Sequence, residues 1–282
     1  FNEMTVDLKN YMQSITKARF EKNKIETELQ VASKIQSSML PKQNDVKCAH
    51  TNYKLKATMI PAKEVAGDFY DYYMLDRDHM IITVADVSGK GVYAALFMSM
   101  SSTILNNCCT VLATPDGLNK AIVKANNLLS KNNDENMFVT AFIAMINLTT
   151  GFVRYVNAGH NPPLVYSKQR DTFEYLQPTK HNPSIAIIED YEYQEETLQL
   201  NDGDQLFLYT DGVTEACDEK KNLYGEERLR LNLNLNKNLT PRKIVDSIHK
   251  SIREYAKGVE QYDDITMLSF QFQKAGASQS HP

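Results

Sequence analysis

Apolar residues at the start of the chain recur on a seven-residue repeat. With Phe1 at a, the a positions are Phe1, Leu8, Ile15, Lys22, Leu29 and Gln36, and the d positions are Met4, Tyr11, Ala18, Ile25, Ala32 and Met39. Ten of these twelve are apolar, and neither Gly nor Pro occurs before Pro41. The repeat predicts one long helix with a narrow seam, a parallel coiled coil joining two copies of the chain. Lys22 and Gln36 interrupt that seam, where polar a residues cost stability but fix register. A single amphipathic helix packed on its own domain is the alternative for the same stretch.

After a connector over 42–50 the period changes to short apolar and β-branched runs bounded by turn residues. These predict strands over 53–60, 69–75 and 79–85, then helices over 93–112 and 115–130. A hairpin follows over 138–148 and 152–156, turning at Thr149-Thr150-Gly151. Further strands are expected over 164–166, 173–176 and 205–209, helices over 223–235 and 241–257, and a last strand over 265–272. Strands, a helical pair, strands, a helical pair and a closing strand predict an α+β fold with mostly antiparallel sheets. The expected division is a coiled-coil linker at 1–41, a folded domain at 50–272 and a small, polar, flexible tail at 273–282.

At 282 residues and 42% hydrophobic content, the chain can bury one large core beside an appendage. A net charge of −4 with no basic stripe argues against a nucleic-acid partner. No run approaches the roughly 18 apolar residues of a membrane span, and no signal peptide is expected within this sequence. Cys48, Cys108, Cys109 and Cys217 have neither zinc spacing nor the density of a disulfide scaffold, as expected for reduced thiols in a cytosolic compartment. Opening on Phe1 rather than Met points to a fragment or a processed product.

The run Ile81-Ile82-Thr83-Val84-Ala85-Asp86-Val87-Ser88-Gly89-Lys90-Gly91 delivers a carboxylate to the end of a buried strand, followed by a Gly-bracketed turn. Val65-Ala66-Gly67-Asp68, Leu206-Phe207-Leu208-Tyr209-Thr210-Asp211-Gly212 and Tyr262-Asp263-Asp264-Ile265-Thr266 repeat the arrangement. Aspartates at rigid strand ends suit hard divalent ions, which prefer oxygen ligands. Two such ions about 3.5–4 Å apart can bridge a water, lower its pKa and aim it at phosphorus.

Five segments carry a specific resemblance: Val65-Ala66-Gly67-Asp68-Phe69-Tyr70-Asp71, Ala85-Asp86-Val87-Ser88-Gly89-Lys90-Gly91, Asn157-Ala158-Gly159-His160, Thr210-Asp211-Gly212-Val213-Thr214-Glu215-Ala216 and Asp263-Asp264-Ile265-Thr266-Met267. In this order they resemble the RsbU/SpoIIE-type branch of the metal-dependent (type 2C-like, PPM) serine/threonine phosphatases. Ala66 departs from the pattern, standing where this branch commonly has glycine. The resemblance implies a central β-sandwich flanked by helical pairs, with two Mn²⁺ or Mg²⁺ at one end. Asp86 would bridge both ions and the Val87 carbonyl would complete one shell. Asp68 would serve one ion, with Asp211 and Asp263 on the other; Asp264 is the alternative to Asp263. Asp86, Asp68 and Asp211 are the expected catalytic residues. His160 fits a loop-fixing turn more readily than a proton donor, Lys63 and Lys90 are candidate phosphate attractors, and Asp71 and Tyr70 would shape the loop.

The first residues, Phe1-Asn2-Glu3-Met4-Thr5 and Leu8, resemble the end of a HAMP signalling domain, and Ile35-Gln36 through Leu40-Pro41 resembles the linker entering RsbU-type domains. Together the resemblances imply a cytoplasmic phosphatase output domain of an inner-membrane sensor, attached to the membrane only through a region preceding this sequence. The implied substrate is a phosphorylated STAS-type anti-sigma-factor antagonist. A catalytically silent partner-binding module and a hydrolase of small phosphoesters are the rival expectations.

Overall fold

The computed structural model describes residues 2–42, 53–115, 117–131, 133–177 and 179–274. The expected tail from 275 onward and most of the connector, with Cys48, lie outside the described residues. Helix α1 (Asn2–Met39) precedes β1 (Tyr53–Ile60), β2 (Phe69–Met74) and β3 (His79–Val87). The pair α2 (Val92–Leu112) and α3 (Asn119–Ser130) follows, then β4 (Val139–Asn147), β5 (Phe152–Ala158), β6 (Leu164–Ser167), β7 (Thr172–Tyr175), β8 (Glu196–Gln199) and β9 (Gln205–Tyr209). A short α4 (Gly212–Glu215), the pair α5 (Glu226–Leu235) and α6 (Pro241–Tyr255), and β10 (Ile265–Phe272) complete the order. Two antiparallel five-stranded sheets result, one ordered β1-β10-β9-β6-β7 and the other β2-β3-β4-β5-β8.

The sheets face each other, and each carries a helical pair on its outer side. The central strands therefore bury both faces, which is why they read as apolar runs rather than as alternating ones. In β3, Met80, Ile82 and Val84 point between the sheets, while Ile81, Ala85 and Val87 meet α2 and α3. In β10, Leu268, Phe270 and Phe272 enter the inter-sheet core and Ile265 and Met267 pack with α5 and α6. The hairpin joining β4 to β5 turns at Gly151, where φ is 75° and a Cβ would collide with the Leu200 carbonyl.

Two departures from the expected elements have clear causes. The helix expected from 115 begins at Asn119, because Thr114 and Gly117 exchange backbone hydrogen bonds across Pro115 and the Glu195 carboxylate takes the Leu118 N–H at 2.8 Å. Strand β8 escapes the hydrophobic pattern because it is a short edge strand, exposed at Thr197 and Gln199. The expectation that nothing reaches membrane-span length also needs correction: α2 is long and apolar enough by composition. Its apolarity is used inside the fold, where Phe97, Met98, Leu105 and Cys109 are buried against β2, β3 and α3. Cys108, Cys109 and Cys217 are free thiols.

Helix α1 stands away from the sandwich over much of its length. Tyr11, Ile15 and Ile25 of the heptad seam are exposed, as are Met12 and Phe20 outside it. The last third turns back on its own domain: Leu29, Ala32 and Gln36 border a groove of about 190 Å³ with Val92, Ala95 and Leu96 of α2. Gln36, expected as a polar layer in an intermolecular seam, is only 5% exposed and faces the domain instead. Its Nε2 donates to the Ala66 carbonyl at 2.7 Å, and its Oε1 accepts from the Ala66 N–H at 2.9 Å. Replacing Gln36 with Leu leaves both backbone groups unmatched, at a cost of about 1–3 kcal/mol for each buried orphan. Faster amide exchange at Ala66 and a lower thermal midpoint are expected; unchanged exchange would mean that α1 does not restrain this loop.

Candidate functional site

Strand ends from both sheets meet at one edge of the sandwich. Phe69 pairs with Ala85, which sets Asp68, just before β2, beside Asp86 near the end of β3. In the other sheet Met267 pairs with Tyr209, and the Thr210 N–H donates to the Thr266 carbonyl at 3.1 Å. Asp211 therefore leaves β9 next to Asp263 and Asp264, which lead into β10. The period of two sends even-numbered positions of β2 and β3 between the sheets, so Asp68 and Asp86 share the inner face with Tyr72, Ile82 and Val84.

The two carboxylates at the start of β10 have different employment. Asp264 is buried, its Oδ1 accepting from the Ala62 N–H at 2.8 Å and its Oδ2 from the Gly67 N–H at 2.7 Å. It ties the 62–68 loop to β10 and has its oxygens occupied. Asp263 points instead to Lys90, whose Nζ lies 2.7 Å from its Oδ2. Lys90 also donates to the Tyr262 carbonyl at 2.9 Å and sits over the Tyr262 ring. Asp263 Oδ1 also accepts from the Asp264 N–H at 2.9 Å, so both carboxylates are engaged, and both border the small cavity that contains Asp86. Gly212 is required beside Asp264, since a Cβ there would overlap the Asp264 backbone. Gly67 lies close to the Val87 carbonyl, which a Cβ would approach to 3.2 Å.

Charge in the cluster is frustrated. Burial, then repulsion from Asp211 and Asp263, pushes Asp86 up to about 7. Burial and the neighbouring Asp86 hold Asp68 well above the usual carboxylate range, against the opposing hydrogen bond that Thr210 Oγ1 donates to its Oδ2 at 2.7 Å. Asp211 is raised by burial and by Glu215 and Asp263, with the Gly212 N–H and Lys90 opposing.

The remaining candidates separate from the cluster. His160 Nε2 donates to the Tyr209 carbonyl at 3.1 Å, so Nδ1 accepts from the Thr140 hydroxyl at 2.9 Å. Burial lowers its pKa to about 4, leaving a neutral imidazole with both nitrogens engaged. It links Thr140, the cross-strand partner of Asp86, to β9. Asp71 accepts from Asn106 of α2 at 2.8 Å, and the Tyr70 hydroxyl donates to the Pro41 carbonyl at 3.4 Å; both shape the surroundings. Lys63 borders the same small cavity as Asp86, Lys90 and Asp263. The contacts of Thr210 and Gln36 were not legible: the segment around Asp211 includes Thr210 without giving it a role, and Gln36 reads as a heptad residue.

Among the described residues no three His, Cys, Asp or Glu side chains converge into a ready-made metal site. The donor set nevertheless fits hard divalent ions: Asp68, Asp86, Asp211 and Asp263 offer oxygens alone, and their mutual repulsion is what a cation relieves. Lys90 supplies a positive charge to this set.

The model of the family described as Stage II sporulation protein E (SpoIIE) matches residues 76–273. The chain belongs to the SpoIIE family. That family is of PP2C-type phosphatases. Protein IcfG of Synechocystis sp. is 28% identical over 93% of this chain and 44% of its own length, so the chain spans less than half of that relative. Phosphoserine phosphatase RsbU of Bacillus subtilis is 29% identical over 86% of this chain and 70% of its own. The solved SiaA PP2C domain of Pseudomonas aeruginosa shares the fold, with a TM-score of 0.76 at 21% identity over 89% of this chain and 98% of that one. More distant fold neighbours were solved with metal: RsbX with magnesium, and the PstP catalytic domain with 2 manganese ions.

The raised carboxylates fix the sign of a pH effect. Asp86, shifted from 3.8 to about 7, keeps a proton in the fold that the unfolded chain has lost, so in the metal-free protein its contribution to stability falls as pH rises across that window. Ion binding needs the ionised form, so the rise in thermal midpoint on adding Mn²⁺ should be small near about pH 5 and grow through about pH 8. The comparison at each pH cancels groups such as His160 that titrate alike with and without metal. A Mn²⁺ effect independent of pH would contradict this arrangement.

Proposed function

We propose that this chain is a Mn²⁺/Mg²⁺-dependent serine/threonine protein phosphatase domain that holds two ions between Asp68, Asp86, Asp211, Asp263 and the Val87 carbonyl. The observation that carries it is the meeting of four strand-end aspartates from two sheets, with burial and repulsion raising the pKa of Asp68, Asp86 and Asp211. Bound ions would supply Lewis-acid activation of water and charge neutralisation at phosphorus. The chain's own residues do the rest. Asp86 and Asp68 present oxygens from facing strands, and the Thr210 hydroxyl holds Asp68 in orientation. Asp264 fixes the loop that carries Asp68, and His160 holds the end of β9 against β4. Lys90 brings positive charge to the mouth, where an arriving phosphate dianion would meet it.

Resemblance to RsbU supports a phosphoserine protein as substrate, and the RsbU-type pattern supports a STAS-type antagonist in particular. The HAMP-like start supports placement as the cytoplasmic output of a membrane sensor. Asp86→Asn removes a charge that both ions would share and should lower phosphate release from a phosphoserine protein by several orders of magnitude. Colorimetric phosphate assays with Mn²⁺ and with excess EDTA measure this; wild-type rates in Asp86→Asn or in EDTA would remove the two-ion proposal, and no release by the wild type with Mn²⁺ would leave the silent binding module.

The exposed seam of α1 supports a homodimer through the N-terminal helix. Ile25→Glu tests it more cleanly than a change at Leu29, because Leu29 also borders the groove with α2. A carboxylate in an apolar seam is strongly disfavoured. Sedimentation should shift from dimer towards monomer while the domain's thermal midpoint holds; a wild-type monomer at tens of micromolar would sink the dimer.

A further inference from the structure

A cleft of about 330 Å³ adjoins the carboxylate cluster without belonging to it. Its walls are α4 with the residues after it, one face of α6, and the 257–263 loop that returns to Asp263. The floor is apolar, built from Ile252, Ala256 and Val259. Both signs of charge line it, Glu215, Glu260 and Asp263 with Arg253 and Lys257. Glu215, close enough to Asp211 to raise its pKa, stands with Asp263 at the cluster end. His249 and Arg253, one helical turn apart on α6, stand on the opposite wall, and Arg253 contributes to holding His249 uncharged after burial. Arg253 and Lys257 are exposed and make no ion pair among the described residues, whereas Lys250 and Glu254 of the same helix pair with each other at 3.7 Å. Tyr262, 73% exposed, borders both the cleft and the small cavity that contains Asp86.

We propose that this cleft receives the segment flanking the phosphoserine of a protein substrate, with an apolar side chain on the Ile252–Ala256 floor and an acidic side chain at Arg253. The inference rests on the phosphatase reading and names the chemistry that reading leaves open. Size and continuity support this occupant. The volume admits one or two side chains but not a folded domain, and the path past Tyr262 to Asp263 lets one extended strand span both places. An acidic residue matches the unpaired guanidinium, while the phosphate itself lies with the aspartates and whatever cations they hold.

The test uses the whole chain with Mn²⁺ and three substrates: a short phosphoserine peptide with Glu and Leu flanks, the same peptide with Lys for Glu, and p-nitrophenyl phosphate. The wild type should show a KM about tenfold lower for the Glu peptide, and Arg253→Glu should abolish or reverse that preference. Arg253→Lys should keep it, since the charge remains, and kcat should change less than about twofold throughout. Equal KM values for both peptides in the wild type, with p-nitrophenyl phosphate still hydrolysed, overturn the docking cleft and leave the phosphatase reading standing. Loss of p-nitrophenyl phosphate hydrolysis in Arg253→Glu, in step with the peptides, also overturns it, because Arg253 would then act on the centre itself. A changed sedimentation coefficient in Arg253→Glu would make the cleft an interface between copies and overturn it too. No Mn²⁺-dependent hydrolysis of any of the three overturns both readings.

Discussion

Asp68 and Asp86 repel each other from neighbouring strands, and Asp211 and Asp263 add to that field from the second sheet. In a partly desolvated place such repulsion works to push the strand ends apart. Hydrogen bonds oppose it. The Asp264 carboxylate takes backbone N–H groups of Ala62 and Gly67, tying the loop between β1 and β2 to the start of β10. The Thr210 hydroxyl reaches across to Asp68, and the Thr210 N–H holds β9 to β10. The acid cluster is therefore held together by hydrogen bonds from backbone N–H and hydroxyl groups, which favour the ionised carboxylates they meet.

The same loop is where the N-terminal helix touches the domain. Gln36 meets the backbone of Ala66, one residue from Gly67 and two from Asp68. A short loop held on one side by Asp264 and on the other by Gln36 has little freedom left. Movement of α1 about its own axis would act on the backbone that carries Asp68 before it acted on the core. The groove between α1 and α2 is lined mainly by apolar side chains, so the paired amide of Gln36 is the polar tie between α1 and the loop.

Much of this was legible in the amino-acid pattern. The strands beside Asp86, Asp211 and Asp263 are buried on both faces, so their apolar runs stand out and their terminal carboxylates are conspicuous. The choice between Asp263 and Asp264 was not decided by pattern, because adjacent carboxylates in a turn have the same local signature; the hydrogen bonds to Ala62 and Gly67 are long-range facts. Gln36 fell at an a position, where a polar residue reads as a register device, and its tertiary role was hidden, since a period of seven says which face is shared but not with what. Strand β8 lacked apolar alternation because its outer edge faces water.

His160 gives the fold a separation between framework and charge. Its imidazole is held neutral down to about 4, while Asp86 exchanges its proton near neutrality. In the metal-free protein, protonation of Asp86 therefore leaves the His160 bridge between β4 and β9 in place, so the strand that leads to Asp211 is held by a contact that does not share the titration of the acids it serves.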